Sequence, residues 1–247
     1  MRIRKSPRKL RAEIRPKRTD TGGVAVGYME KAPGINSSEV TGVVFCGGLS
    51  RRMGQDKALL LSHGQTLLER ASRLLEPLVS KVVLSTGHAP RYVEMGLPCV
   101  LDVEPNLGPI GGLQAALRAS QTPWILALAC DLPRLSGARV QELLGAAEAG
   151  DLAVLFGSPE NPEPLFALYS RELLPRVDAA ILLGRRRMTS FLEGAEDSDP
   201  DKVRWLPMSA ESVDQFANVN RPQDWHSYQR TAHPDDLAGD PNEEPTT

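Results

Sequence analysis

The sequence predicts an α/β protein built on a mainly parallel sheet, and three observations lead there. Short apolar or β-branched runs alternate with segments whose apolar residues recur at helical spacing. One run, 124–130, is apolar on both faces, which suits a central parallel strand covered by helices above and below. A glycine-rich stretch directly follows the first run, where open α/β sheets place ligands beyond the carboxyl ends of their strands.

The elements follow in order. Residues 40–45 form a β-branched strand ending in Cys46-Gly47-Gly48. Thr66 with Glu69 makes a capping box for a helix whose Leu67, Leu68, Ala71, Leu74, Leu75 and Leu78 keep helical spacing. Strands are expected at 81–85 and 99–102, then a helix at 112–119 leading into a strand at 124–131. Ser136 is placed to cap a helix running to about 149. Strands at 152–156 and 165–169, helices at 171–183 and 186–193, and a late strand at 203–208 complete the pattern. Strands joined through helices make βαβ units, so the expectation is a three-layer, Rossmann-like doubly wound sheet in a single domain, with an antiparallel departure available within 157–170.

That domain spans 40–230. Residues 1–39 mix basic residues with Pro and Gly and show no apolar period, so they read as a disordered basic extension. Residues 231–247, with three prolines and five acids, read as a disordered acidic tail. The net charge of −2 therefore hides a polarity. Nine Lys/Arg against two acids give +7 over residues 1–20, and five acids give −5 over 231–247, which leaves −4 for the body. A mildly acidic body argues against a nucleic-acid-binding face. No apolar run reaches the roughly 18 residues of a membrane span, and no apolar segment follows the basic start as a secretory signal requires. Cys46, Cys99 and Cys130 form no C-x-x-C pair, and His63, His88, His226 and His233 have no zinc-ligand spacing. A cytoplasmic protein without soft-metal sites is expected.

The chemistry concentrates in residues 46–57, Cys-Gly-Gly-Leu-Ser-Arg-Arg-Met-Gly-Gln-Asp-Lys. Glycines at a strand end let the backbone approach a ligand, and their N–H groups can cradle phosphate oxygens. Ser50, Arg51, Arg52 and Lys57 add donors and positive charge. The stretch is neither a Walker A loop, since Ala58 follows Lys57, nor a G-x-G-x-x-G fingerprint. Taken alone it can also be read as a glycine-rich turn with a solvated basic loop.

The pattern G-G-x-S-x-R-M-G-x-D-K after a first strand resembles the signature of the MobA family, the molybdenum cofactor guanylyltransferases of the nucleotide-diphospho-sugar-transferase-like superfamily. Further segments match in order. Residues 108–113 (Gly-Pro-Ile-Gly-Gly-Leu) are similar to the family's G-P-L-A-G-L turn, and Cys130-Asp131-Leu132-Pro133 to its C-D-x-P. Residues 163–168 (Glu-Pro-Leu-Phe-Ala-Leu) stand where it often has His-Pro-x-x-A-L. Arg185-Arg186-Arg187-Met188 falls at its basic helix start, and residues 218–224 at its N-x-N-x-P-E-D ending.

The resemblance implies an enzyme that transfers GMP from GTP to the terminal phosphate of molybdopterin, with Mg²⁺ as cofactor and pyrophosphate as leaving group. Other cofactor-biosynthesis proteins and recipient molybdoenzymes are the implied protein partners. It implies catalytic roles for Lys57 and Asp131, Asp131 as the metal ligand, and nucleotide contacts from Phe45, Cys46, Gly47, Lys57, Ser85, Asp102 and Asp131. One strand-end carboxylate suffices for a hard cation that takes its other ligands from phosphate and water. The contacts of Phe45, Cys46 and Gly47 are mostly backbone. Ser85 replaces the family's frequent Asn, and Asp102 holds a position that binds the guanine nucleotide. The run 185–187 is either a pterin-phosphate contact or a solvated face. Asn218 and Asn220 either shape the pterin side or cap the last helix. Glu163 departs from the family's His, and a carboxylate there repels an anionic acceptor unless it meets a pterin nitrogen. Two alternatives share the scaffold: a nucleotidyltransferase using CTP or another phosphorylated acceptor, and a non-catalytic nucleotide- or molybdopterin-binding module. Gly47-Gly48 resembles the guanylyl form, where cytidylyl relatives tend to have Ala-Gly.

Overall fold

The computed structural model describes residues 34–48, 53–192, 202–209 and 212–231, all within one compact unit, Ala32–Thr247. The head up to residue 33 and the tail from 232 lie outside the described residues. Residues 34–39, which the sequence reading joined to the extension, carry a 3-10 turn, Ser37–Glu39, closed by an Asn36/Glu39 capping box. The Ile35 amide donates to Leu144 O at 3.2 Å, so this segment is tied to the body.

Seven strands form one sheet in the order β5-β4-β1-β6-β8-β7-β9. They are β1 Val40–Phe45, β4 Lys81–Ser85, β5 Cys99–Val100, β6 Trp124–Ala129, β7 Ala153–Gly157, β8 Pro162–Ser170 and β9 Val203–Leu206. A small antiparallel pair, β2 Leu61–Ser62 and β3 Gln65–Thr66, lies apart. All neighbours in the large sheet pair in parallel except β8, which runs antiparallel to β6 and to β7. The chain moves outward from β1 to β4 and β5, then crosses to the other side of β1 to lay down β6. That reversal opens a crevice beyond the carboxyl ends of β1, β4 and β6.

Alternation along each strand divides the core into two layers. Val44, Leu126, Leu128, Val154, Phe156, Phe166 and Leu168 face helices α1 (Leu67–Leu75) and α3 (Gly137–Ala146). Val43, Phe45, Ile125, Ala127, Leu155, Ala167 and Tyr169 face α2 (Pro109–Ala119) and α4 (Leu174–Leu182). Burial on both faces explains why β1 and β6 read as continuous apolar runs. The last helix, α5 (Pro222–Thr231), forms a third small cluster in which Trp225 and Tyr228 cover Met53, Leu60 and Leu67.

Local chemistry sets the ends. Thr66 Oγ1 accepts from Glu69 N at 3.1 Å and Glu69 Oε2 accepts from Thr66 N at 2.7 Å, the expected box. Helix α2 starts three residues earlier than expected, because Gly108 at φ 72° turns the chain and Pro109 takes the first helical position. Ser136 precedes α3 but spends its hydroxyl on Gln215 Oε1 at 3.0 Å and makes no side-chain cap; α3 stops at Ala146. Of the helix expected over 186–193, residues 187–192 are bends and turns and 193 lies outside the described residues. The antiparallel departure within 157–170 is β8.

Phe156 is fully buried, stacked on Phe166 at 5.6 Å between ring centroids and tilted against Phe216 at 5.1 Å. Phe156→Ala should cost about 3–5 kcal/mol in urea unfolding, the usual penalty for emptying a buried aromatic site. A loss below about 1 kcal/mol would show that the three rings do not tie β7, β8 and residue 216 together.

Candidate functional site

The crevice is a cavity of about 860 Å³, and all seven residues singled out by the sequence line it: Phe45, Cys46, Gly47, Lys57, Ser85, Asp102 and Asp131. All but Lys57 are placed by a strand end or by the turn beyond it, and Lys57 opens a separate 3-10 turn, Lys57–Leu59. Phe45 ends β1, Ser85 ends β4, Asp102 follows β5, and Asp131 follows β6. Cys46 N donates to Ser85 O at 3.0 Å and Cys130 N to Phe45 O at 3.2 Å, which extends the ladder one step beyond the regular strands.

Glycines make the approach possible. A Cβ on Gly47 would lie 2.7 Å from Gly87 N and 2.8 Å from Thr86 C, both backbone atoms, so alanine does not fit there without moving the β1 or β4 turn. A Cβ on Gly112 would overlap Ser85 Oγ and stand 3.0 Å from the Phe45 ring. The first turn of α2 therefore lies flush on the ends of β1 and β4 and brings the amino end of the helix to the crevice wall.

Lys57 Nζ forms an ion pair with Asp131 Oδ2 across the crevice and donates to Asn220 Oδ1 at 3.3 Å. Their side chains are 21% and 12% exposed, so the pair is shielded yet reachable from the cavity. Val219 N donates to Asp131 O at 2.9 Å, which fastens the 218–220 segment beside it. Asn220 thus meets Lys57, while Asp224 Oδ2 holds the Asn220 and Arg221 amides at 3.0 and 2.8 Å and opens α5. Asn218 is exposed.

Asp102 stands under the first turn of α2, with its amide donating to Gly87 O at 2.8 Å. Its Oδ1 is buried without a hydrogen-bond partner among the described residues. Burial holds this carboxyl above the ordinary carboxylate range, partly opposed by His88. A buried acceptor lacking a donor is a place for a ligand N–H. Burial also pushes the Cys46 thiol up to about 12, so it stays neutral, with Sγ 3.5 Å from Ser85 O. A neutral thiol is no nucleophile, in keeping with a mostly backbone role.

Ser50, Arg51 and Arg52 lie outside the described residues. Residues 185–187 are exposed, and Arg186 Nη1 donates to Asn106 O at 2.7 Å, steadying the loop ahead of α2. Sequence reasoning missed Arg91 and Tyr92. Arg91 lines the cavity and ion-pairs with Asp56 Oδ2, and Tyr92 OH donates to the same oxygen at 2.8 Å. Burial holds the Tyr92 phenol well above its ordinary range, so it remains a donor. No spacing rule links positions 91 and 92 to 56.

Glu163 does not line the cavity itself, but it stands close enough for the Asp131 charge to act on it. The β6–β8 ladder ends at Leu128 opposite Phe166, and three further steps on each chain bring Asp131 and Glu163 to equivalent places. Burial raises the Glu163 carboxyl to about 7, an amide bond from Leu165 works against the rise, and the Asp131 charge adds to it. No cluster of three or more His, Cys, Asp or Glu able to hold a metal by itself occurs among the described residues. The donor set nevertheless suits a hard divalent cation: one strand-end carboxylate, Asp131, with space for phosphate oxygens and water. No helix among the described residues is long and apolar enough to cross a membrane.

Comparison with known proteins agrees with this geometry. A family model described as a MobA-like NTP transferase domain matches residues 42–201. A probable molybdenum cofactor guanylyltransferase of Chloroflexus aggregans is 31% identical over 190 residues, covering 75% of this chain and 91% of that relative. The molybdenum cofactor guanylyltransferase of Serratia proteamaculans is 30% identical over 195 residues, covering 78% and 95%. Among solved structures, the molybdopterin-guanine dinucleotide biosynthesis protein A of Archaeoglobus fulgidus superposes with a TM-score of 0.64 at 24% identity, covering 77% of this chain and 97% of that one. A CMP:2-keto-3-deoxy-manno-octonic acid synthetase complexed with CTP gives 0.61 at 14%, covering 78% and 98%. The structural likenesses establish a shared α/β fold.

The burial of Glu163 has a measurable consequence in the protein free of metal and nucleotide. Its folded value of about 7 lies above the ordinary 4.5, so between these limits the folded state keeps a proton that the unfolded chain has released. The associated stability is complete below the lower limit and is lost as pH rises towards the upper one. Glu163→Gln stays neutral throughout. Its unfolding free energy should therefore improve relative to the wild type between about pH 5 and pH 7.5. Parallel pH profiles for the two proteins would show that this carboxyl is solvated.

Proposed function

Because this chain belongs to the family of MobA-like NTP transferase domains, we propose that it transfers GMP from GTP to the terminal phosphate of molybdopterin, forming the guanine dinucleotide cofactor and pyrophosphate. It is a nucleotidyltransferase by family, and its curated relatives are named molybdenum cofactor guanylyltransferases. The observation that carries the reading is the convergence of Phe45, Cys46, Gly47, Lys57, Ser85, Asp102 and Asp131 on one cavity, with Lys57 and Asp131 joined across it.

An oxygen of the molybdopterin phosphate attacks the α-phosphorus of GTP, the bond to the bridging oxygen breaks, and the electron pair leaves with pyrophosphate. Both reactants are anions, so positioning and charge neutralisation supply most of the catalysis. The attacking phosphate is already ionised and needs no general base. Lys57 carries its charge on a turn facing the cavity and exchanges its carboxylate partner for phosphate oxygens when the nucleotide enters. The backbone of Gly47 and the amino end of α2 contribute N–H donors and a favourable dipole. Asp131 would hold Mg²⁺, which when bound offsets phosphate charge and orients the triphosphate. Asp102 supports guanine as the base. Its partnerless Oδ1 and the adjoining Oδ2 can accept the neighbouring N1–H and N2–H of guanine, whereas cytosine offers only one amino group on that edge. Gly47 supports the same choice, since this backbone has no room for the alanine that marks cytidylyl relatives. Recipient molybdoenzymes and other cofactor-biosynthesis proteins are the protein partners of this reading, and the cytoplasm is its location.

Purified protein given Mg²⁺, molybdopterin and either GTP or CTP should release pyrophosphate with GTP only. Release with CTP alone would overturn the guanylyl assignment, and release with neither would favour a binding module. Lys57→Ala should slow the reaction about 10²–10³-fold with its circular dichroism spectrum unchanged, as expected on removing one transition-state donor. An unchanged rate would take Lys57 out of the site.

A further inference from the structure

Tyr92 is buried at 6% exposure although its backbone sits in the left-handed region, at φ 58° and ψ 37°, which an aromatic residue seldom adopts. Something must hold it there, and the side chain shows what does. Its hydroxyl donates to Asp56 Oδ2 at 2.8 Å and lies 3.3 Å from Cys46 O, so it touches both ends of the glycine-rich loop. Arg91 pairs with the same Asp56 oxygen, and its guanidinium carbon lies 4.8 Å from the centre of the Tyr92 ring. The other Asp56 oxygen accepts from Ala58 N at 3.1 Å and caps the turn Lys57–Leu59. Both oxygens of Asp56 are thus engaged, and the carboxylate cannot rotate without releasing either the turn that carries Lys57 or the 91–92 segment.

The same segment borders the cavity, since Thr86, Gly87, His88, Ala89 and Arg91 all line it. A nucleotide seated against residues 86–91 therefore presses on a chain that is bolted, through one carboxylate, to the base of Lys57. We propose that Arg91 and Tyr92 are positioning residues for nucleotidyl transfer, acting through Asp56 to set Lys57 at the reacting phosphates. This rests on the transfer reaction proposed above. Neither residue needs to touch the phosphates. Their contribution is to remove freedom from Lys57 before the reaction, where a small misplacement costs rate more than affinity.

Tyr92→Phe in the full chain tests this, because it deletes one hydroxyl and keeps the ring, its burial and the Arg91 contact. Pyrophosphate release from GTP and molybdopterin should fall about 10-fold in kcat, with KM for GTP changed less than about threefold and Tm within a few degrees of wild type. Asp56→Asn should fall similarly, and the double variant should be little slower than either single one, since both cut one linkage. In a Lys57→Ala background Tyr92→Phe should add almost nothing. An unchanged kcat for Tyr92→Phe would overturn the proposal. So would the same 10-fold loss without Lys57, or a loss explained by a large fall in Tm. The wild-type protein separates the two levels of inference. If it turns over GTP while the variants match it, only the positioning role fails; if it transfers no nucleotide, the reaction and this role fall together.

Discussion

The whole crevice depends on how closely α2 approaches the ends of β1 and β4. With no side chain at Gly112, the helix rests against Ser85 Oγ and the Phe45 ring, and with none at Gly47 the β1 turn rests against the backbone of Thr86 and Gly87. These contacts are tighter than any other residue would permit, and they hold three otherwise separate strand ends against one helix terminus. Asp102 becomes buried because the same turn of α2 closes over it, its Oδ2 standing 3.3 Å from where a Gly111 Cβ would lie. The orphaned Oδ1 is therefore a product of the packing that builds the site. Leaving such an acceptor unmade costs on the order of 1–3 kcal/mol, which a ligand donor recovers.

Charge storage follows from the same closeness. The body of the protein is mildly acidic, yet the proposed ligands are polyanions. Among the described residues, two cations of the cavity are held by carboxylates of the cavity itself, Lys57 by Asp131 and Arg91 by Asp56. Unpaired, these cations would be costly to keep in a partly dehydrated cleft. Paired, they stay charged and oriented. The two pairs differ in kind. Asp56 has a Tyr92 hydroxyl and an Ala58 amide on it as well, so that pair is fixed. Asp131 is held by Lys57, and in the proposed reaction this carboxylate would pass to a cation while Lys57 turns to phosphate.

Much of this was legible from the sequence, and the reasons are local. Alternation and length placed β1, β4 and β6 within a residue or two, because strands buried on both faces are continuous apolar runs. The capping box at Thr66 appeared as expected because both of its bonds lie within four residues. Residues 45–47, 85, 102 and 131 meet at one cavity because each lies at or just beyond a strand end whose place the fold dictates, and Lys57 joins them from its own turn. What stayed hidden depends on contacts between distant segments. Ser136 has the residue type of a cap but gives its hydroxyl to Gln215, 79 positions away. Arg91 and Tyr92 matter through Asp56, 35 and 36 positions away, with no periodicity to betray them. Arg186, which the sequence left open as a ligand contact or part of a solvated face, donates to the Asn106 carbonyl 80 positions away.

The reversed strand β8 is the departure from simple winding with the largest chemical effect. In a parallel sheet every strand delivers its carboxyl end to the crevice, so the functional residue follows the strand. Because β8 runs antiparallel to β6, it delivers its beginning, and Glu163 arrives where a parallel strand would bring Ser170. Position 163 therefore stands at this edge although it lies in the first steps of its strand, and no rule about the carboxyl ends of strands would select it. Its carboxyl faces the Asp131 charge at a partly buried place, which raises the cost of ionising it. A phosphate oxygen beside it would add to that cost, whereas a ring N–H donor would relieve it. The reversal thus sets the Glu163 carboxyl at the start of β8, on the side of β6 away from β1, β4 and β5 and apart from the Lys57–Asp131 and Arg91–Asp56 pairs.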